Sequence, residues 1–514
     1  MSSTIPEPVE PAAEPALSRP TDQVAGLDRE TLHRRTRLGV VLLAVRTVIQ
    51  QLVVLVGNVY LARLLGPLEF GAFWIVQFAL SFFTLFGDAG FGGALIQKRD
   101  SATKEELSSV FWAQMLMGLG VVAVVFAAAP WVVEVWPALP KNASWMLRAL
   151  SLSLLLTSMR VIPTILMERE LFFGRLSVVD LMLTLSFYGC AVWLAQLGHG
   201  SNALVVAVLL QGAVGLVTAF ALRPWLPGFH FSLRVLRPIL KFGIAFQAKN
   251  IIGFVNGAVM PLYAGRALGP YPLGIVTWSQ NTAFFPLKLV EILGRVNFPL
   301  LSRLQHDERA FARTLERTIQ ICGVVTLLFV ALFLGVGPSL VQIVYGDKWV
   351  PALPTFYVFT VAISIGFVAP IVNGALDAVG KPKVMMRLGL FWTALNWVAV
   401  ATTMQFAHGA LAFSLAYCIH IVVGNGAVIY VVKSLIPAAR LWPGIRAALL
   451  AAAGAACFGR FALLPWITGP FTLIAAVLLG TLAFVAVLAA FDREAALNLV
   501  ALVRRRPKSA NGGV

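Results

Sequence analysis

Apolar residues gather in runs of about 20 or more, the length that crosses a hydrocarbon layer as a helix, and short polar connections separate one run from the next. The runs predict about fourteen helices, over 39–64, 72–96, 108–130, 146–167, 176–197, 202–222, 243–267, 274–298, 316–338, 353–378, 386–406, 409–433, 443–465 and 468–490. The expected fold class is all-α, a polytopic membrane protein. Residues 1–28 are rich in Pro, Ala and Glu and hold no apolar run, the composition of a disordered tail. The stretch that follows the basic cluster His33, Arg34, Arg35 and Arg37 is too long for a signal-peptide core, and no small-residue cleavage site ends it. The first helix is therefore read as a retained anchor.

The pattern repeats. LARLLGPLEFGAFWIVQ (Leu61 to Gln77) and AGRALGPYPLGIVTWSQ (Ala264 to Gln280) pair Arg63 with Arg266, Leu65 with Leu268, Gly66 with Gly269, Pro67 with Pro270, Gly71 with Gly274 and Gln77 with Gln280, an offset of 203 residues (266 − 63 = 203). Six helices separate the two copies, so both run in the same direction. That is a parallel repeat about an axis along the membrane normal, with the transport path expected between the two bundles. The implied divisions are a tail over 1–28, an N-terminal bundle over 29–222, an interfacial linker over 223–242 and a C-terminal bundle over 243–433. Two additional helices over 434–492 and a basic tail over 493–514 complete the chain.

Charge sets the orientation. The chain is 59% hydrophobic, 12% charged and carries a formal net charge of +17, which on a soluble protein would suggest nucleic acid. Here the cations lie in alternate short loops, as in Lys98, Arg99 and Lys104, then Arg169 and Arg175, then Arg223, Arg234, Arg237 and Lys241. The positive-inside rule accounts for them, puts both termini in the cytoplasm and leaves no nucleic-acid surface. The expected location is a membrane that the chain crosses many times. Residues 223–242 alternate apolar with basic positions, which suits either a segment lying on the inner leaflet or a plain connector. Trp131, Trp136, Trp145, Trp349 and Trp442 fall near predicted boundaries, as belt anchors do.

Several chemistries lack their parts. Cys190, Cys322, Cys418 and Cys457 are scattered, as are the six histidines, so neither a metal site nor a cofactor is expected. No GxxxxGK[ST] loop is present, and the glycines of FGDAGFGG (Phe86 to Gly93) fall in a helix, where they favour a kink or close packing. No loop exceeds about 20 residues, too little for a soluble catalytic domain. A membrane ligase or polymerase would need a reactive outward loop, and the longest, about 131–145, offers only Glu134 and Lys141.

The candidate chemistry lies inside the spans. Arg46, Asp88, Lys249 and Glu291 pair across the repeat, since adding 203 to 46 gives 249 and adding 203 to 88 gives 291. At 1.5 Å per residue all four lie roughly 9–12 Å below the cytoplasmic boundary, Arg160 joins that layer and Lys288 is slightly deeper. Two readings stay open. Arg46–Asp88 and Lys249–Glu291 are structural ion pairs, or the four cations line a cavity for an anion while the two acids serve as counter-ions or coupling groups. Amides on the first helix (Gln50, Gln51, Asn58) and on its repeat (Gln247, Asn250, Asn256) suit helix-to-helix bonds first and sugar hydroxyls second.

Arg63, Leu64, Leu65, Pro67, Phe70 and Gly71, with Gly90, Ala94, Leu95, Ile96 and Gln97 and the later Gly380-Lys381-Pro382, closely resemble the motifs of Wzx-like polysaccharide flippases of the multidrug/oligosaccharidyl-lipid/polysaccharide exporter superfamily. The resemblance in helix count and repeat extends over about residues 35–495. It implies a fourteen-helix, V-shaped carrier that moves a polyprenyl-diphosphate-linked oligosaccharide to the outer leaflet by alternating access. Its partners would be that lipid, the membrane and a polysaccharide polymerase or export machinery. No residue would be catalytic. Depth and symmetry then nominate Arg46 and Lys249 for the diphosphate, Arg160 and Lys288 as supporting cations, and Asp88 and Glu291 for coupling. A small-molecule exporter and a peptidoglycan-precursor flippase are the alternatives.

Overall fold

The computed structural model describes residues 29–87, 90–97, 102–288, 290, 300–438 and 442–504. The predicted N-terminal tail, Asp88, Glu291 and the last ten residues lie outside them. Among the described residues there are helices and no strands, and twelve helices are long and apolar enough to cross a membrane. Each expected span has a counterpart, that over 274–298 only in its first part, since 289 and 291–298 lie outside the described residues. The first is α1 (Arg29–Leu64), whose apolar part is the shorter Ile49–Leu64. The next five are α2 (Pro67–Gly87), α4 (Lys104–Glu134), α5 (Ala143–Arg169), α6 (Phe173–Gln196) and α7 (Ser201–Leu222), with a short α3 (Phe91–Gln97) after α2.

The second copy begins with α8 (Leu233–Val259), continued by a π turn (Met260–Ala264) and α9 (Gly265–Leu268). Then come α10 (Pro270–Ala283), α11 (Glu308–Leu340) with a π turn (Val341–Tyr345) and a 3-10 turn (Asp347–Ala352), α12 (Leu353–Gly366) and α13 (Val368–Ala378). The chain closes with α14 (Pro382–Phe406), α15 (Gly409–Leu435), α16 (Pro443–Phe458) with a π turn (Gly459–Leu463), α17 (Pro470–Phe491) and α18 (Arg493–Arg504).

Local chemistry sets the ends. Thr103 and Glu106 form a reciprocal capping box at α4, the side chain of each satisfying the other's backbone N–H. Pro67 and Pro270 open α2 and α10, where a missing N–H costs nothing. Within the glycine run after α2, Gly90 has φ +72°, the left-handed conformation that breaks a helix, and α3 restarts at Phe91. The run expected inside one continuous helix thus interrupts it.

The halves share packing at one end and part at the other. One core cluster joins Leu61, Ile75, Trp136 and Met146 of the first half to Val259, Val276, Trp278 and Phe356 of the second. All of these lie toward the end remote from the N-terminal residues. Toward the near end the cores are separate, except that Leu236 at the start of α8 is buried in the first half's cluster. Phe91, Leu107, Phe111 and Ile165 form one, and Leu315, Phe367, Val432 and Phe484 belong to another. The two additional helices pack on α11, with Gly335 of α11 against Gly459.

The repeated motif makes the shared end. α2 lies against α10, and the contact is reciprocal. A Cβ added at Gly71 would lie 1.7 Å from the Pro270 carbonyl oxygen, and one added at Gly274 would lie 1.8 Å from that of Pro67. Only glycine lets two helix starts approach so closely. Around the crossing, Trp136 Nε1 donates to Pro261 O at 2.9 Å, Trp349 Nε1 donates to Ala62 O at 2.7 Å, and Arg63 donates to the carbonyls of Ile343 and Val344. Trp136 and Trp349 are 5% and 0% exposed, which corrects their reading as belt anchors. Both are buried because the two halves meet where a single bundle would face headgroups. Trp131, Trp145 and Trp442 are exposed.

Replacing Gly71 with Ala is expected to cost about 1–3 kcal/mol, since the colliding atom is backbone and cannot rotate away. Thermal unfolding of purified protein would register it. Gly93→Ala, where a Cβ meets nothing within 4 Å, is the control, and equal melting of the two variants would refute the crossing.

Candidate functional site

The interior polar residues of the first half form a ladder between α1 and α6. Arg46 donates from Nη2 to Asp180 Oδ2 as a hydrogen-bonded ion pair. One turn on, Gln50 Nε2 donates to Thr184 Oγ1 at 3.1 Å, and the Thr184 hydroxyl donates to the Asp180 carbonyl at 2.8 Å. The separation is 134 residues at both rungs, which is what two helices running in the same direction produce. Asn58 and Tyr188 bond through their side chains above these rungs, and Tyr188 lies over Gly57. A helix of apolar residues is thereby fastened to its neighbour by polar contacts that cannot slide by one residue.

Arg46 thus has a partner that the repeat symmetry does not indicate. Asp180 is seven residues into α6, which begins at Phe173, and so lies about 10 Å along that helix, in the same layer as Arg46. It was missed because it has no acidic counterpart in the second half. α14, the equivalent helix there, contains Lys383 and Arg387 and no Asp or Glu. The usable signal was a lone acid within an apolar span.

Arg160 of α5 is in electrostatic reach of Asp180. Its Nη1 is buried with no hydrogen-bond partner among the described residues, as is Nε of Arg46. Gly215 of α7 leaves the space beside it, since a Cβ there would come within 2.7 Å of Arg160 Nη1. Two guanidinium groups therefore share one carboxylate within the described part of this layer. Asp88 lies outside the described residues, and so does its part in the expected Arg46 pair.

In the second half Lys249 lies on α8, its side chain beyond the description, and Glu291 is outside it altogether. Lys288 is half-buried and has no hydrogen bond or ion pair among the described residues. Among the described side chains the α8–α14 seam is bonded through amide and indole groups. Asn396 Nδ2 donates to the backbone and side-chain oxygens of Asn256, both at 3.3 Å, and Trp397 Nε1 donates to Val255 O at 3.1 Å. Gln50, Asn58 and Asn256 thus bond helix to helix. Among the motif residues, Leu65 and Pro67 are buried, Phe70 meets the Trp349 ring edge-on at 5.7 Å, and Gly71 makes the crossing. Arg63, Leu65, Pro67, Phe70 and Gly71 are therefore contacts between the halves, remote from the charged layer.

Two repeated bundles, sharing a core at one end and with separate cores at the other, define a membrane carrier fold. Residues 60–354 match the model of a family of polysaccharide biosynthesis proteins, and the chain belongs to that family. It is 24% identical over 390 residues to the lipopolysaccharide biosynthesis protein WzxC of Escherichia coli (strain K12), covering 75% of this chain and 78% of that protein. It is 27% identical over 359 residues to the succinoglycan biosynthesis transport protein ExoT of Rhizobium meliloti (strain 1021), covering 69% and 70%. In structure it resembles the lipid II flippase MurJ in an inward closed conformation, with a TM-score of 0.71 at 14% identity over 90% of this chain and all of that one. The last likeness concerns the fold.

Replacing Asp180 with Asn and Arg46 with Ala, singly and together, is expected to give a coupling of about 1 kcal/mol in unfolding free energy. Both side chains are about a third exposed or less, at 38% and 24%, so solvent screens part of the attraction. Additive losses would show that the pair contributes nothing as a pair.

Proposed function

We propose that the protein is a flippase that moves a polyprenyl-diphosphate-linked oligosaccharide across the membrane by alternating access, for assembly of a cell-surface polysaccharide. The observation that carries the proposal is Nη1 of Arg160, buried and without a hydrogen-bond partner among the described residues, beside the Arg46–Asp180 pair. An arginine held in an apolar bundle with one donor unused is expensive unless an anion comes to it. A diphosphate supplies the acceptor oxygens, and guanidinium groups bind them through charge-assisted bonds.

Arg46 and Lys249 are the proposed diphosphate contacts, Arg160 and Lys288 the supporting cations, and Asp88 and Glu291 the counter-ions or coupling groups. Asp180 joins the second set, because an arriving phosphate would compete with its carboxylate for Arg46. The sugars would take the space between the halves while the polyprenyl tail stays in the bilayer. No step makes or breaks a covalent bond.

The separated cores at the near end and the shared core at the far end suit a state closed on one side of the membrane. Under the positive-inside rule the closed side is the outer one, both termini lie in the cytoplasm, and the membrane is the bacterial inner membrane. A polysaccharide polymerase or export complex would receive the flipped lipid.

In cells lacking the protein, the oligosaccharide-diphosphate lipid should accumulate and the surface polymer disappear. Complementation with Arg46→Ala or Lys249→Ala at normal membrane abundance should lower polymer output about tenfold per lost charge, the effect of removing a hydrogen bond to a charged group. Unchanged lipid and polymer in the deletion strain would overturn the reading in favour of a small-molecule exporter or a peptidoglycan-precursor flippase.

A further inference from the structure

The connection between the halves, 223–240, is built with two unlike sides. Its inner side is pinned to the start of α4. Ser108 Oγ accepts from Gly228 N at 3.0 Å, Trp112 Nε1 donates to Gly228 O at 2.9 Å, and Ser109 Oγ accepts from Ser232 N at 3.1 Å. Trp225 packs edge-on against Phe111, with ring centroids 5.4 Å apart, and Leu236 is buried among Phe91, Leu95 and Ile162. The irregular stretch thus has side chains of α4 to satisfy its backbone, the condition for non-helical chain at the edge of hydrocarbon.

Its outer side is apolar and exposed, although the Phe229 ring stacks on Trp112 at 6.1 Å. Phe229 is 94% exposed, Leu226 87%, Leu233 70% and Phe231 51%. Four such side chains within eight residues make a patch that a water-facing connector would not carry. Arg234 and Arg237 are exposed beside them and form no ion pair with an acid among the described residues. No Asp or Glu occurs anywhere from 181 to 290. Since α7 ends at Leu222 and the next membrane helix begins within α8, the connection lies at a bilayer boundary.

We propose that residues 226–237 are an interfacial anchor, with Leu226, Phe229, Phe231 and Leu233 inserted among the acyl chains and Arg234 and Arg237 on anionic headgroups. The chemistry is that of an interfacial segment, apolar side chains entering the leaflet and cations meeting lipid phosphate. The proposal is independent of what the carrier moves. It fixes the connection, with α4 on one side and the start of α8 on the other, to one leaflet.

The test uses the full-length protein in nanodiscs, with the photocrosslinker p-benzoylphenylalanine in place of Phe229 and, in a second variant, of Leu226. Irradiation should give lipid adducts by mass spectrometry at both positions. At Trp225, on the inner side, it should give crosslinks within the protein. Absence of lipid adducts at both outer positions in folded protein would overturn the anchor, and the Leu226 variant decides the matter if the other does not accumulate. The headgroup preference is read from the melting temperature in nanodiscs with and without phosphatidylglycerol. Wild type should melt higher with it, and Arg234→Glu with Arg237→Glu should abolish the shift. A shift unchanged in the double variant would overturn the role of the arginines.

Discussion

A helix that ends inside an apolar assembly leaves four carbonyl groups without donors, and in this protein the far half supplies donors for three of them. At the end of α1, Leu61 O accepts from Leu65 N at 2.7 Å, Ala62 O from Trp349, and Arg63 O and Leu64 O from Lys348 Nζ at 3.2 and 3.0 Å. The debt is repaid in the other direction. Arg63 caps the carbonyls of the π turn after α11, and Trp136 caps Pro261 O in the π turn after α8. π turns leave backbone groups out of register with their own helix, and these groups are the ones that the opposite half meets. Neither bundle can complete its own helix ends at this level of the membrane without the other.

That constraint explains where the repeat is most similar. Pro67 and Pro270 start helices, Gly71 and Gly274 allow them to touch, and each glycine lies on the other copy's proline carbonyl. Two copies of one motif meeting face to face are subject to one steric requirement, so both keep the same residues. The interior charges are under no such rule. α6 carries Asp180 against Arg46, whereas α14 has no acid and α8 bonds to it through Asn256 and Asn396. Among the described residues the two halves solve one packing problem with different chemistry.

The spans, the repeat and the motif could be read from the chain because each is a local pattern, namely apolar length, self-similarity and glycine with proline at a helix start. Arg46, Arg160 and Lys249 could be found because a charge in an apolar run is conspicuous by itself. Asp180 escaped a search conducted by symmetry, since the choice of Arg46's partner depends on which helix α1 packs against, and that is settled by tertiary contacts. Trp136 and Trp349 were misread for a related reason. A tryptophan near a predicted boundary is equally suited to headgroups and to a buried carbonyl, and only the meeting of the halves decides between them.

An interface that holds a carrier closed must also release. The contacts between the halves are suited to both, because among the described residues the hydrogen bonds there end on backbone carbonyls and none is an ion pair. Each is worth only about 1 kcal/mol net, somewhat more where the donor is charged, so they can be broken one after another without a single large cost. When the halves part, the freed carbonyls and the Lys348 and Arg63 side chains come out at the membrane surface, where water and headgroups replace the lost partners. A buried salt bridge in the same place would leave two charges to resolvate together. The charged pair lies instead about one helix half-length away, between α1 and α6 of a single bundle, where opening at the far end does not break it.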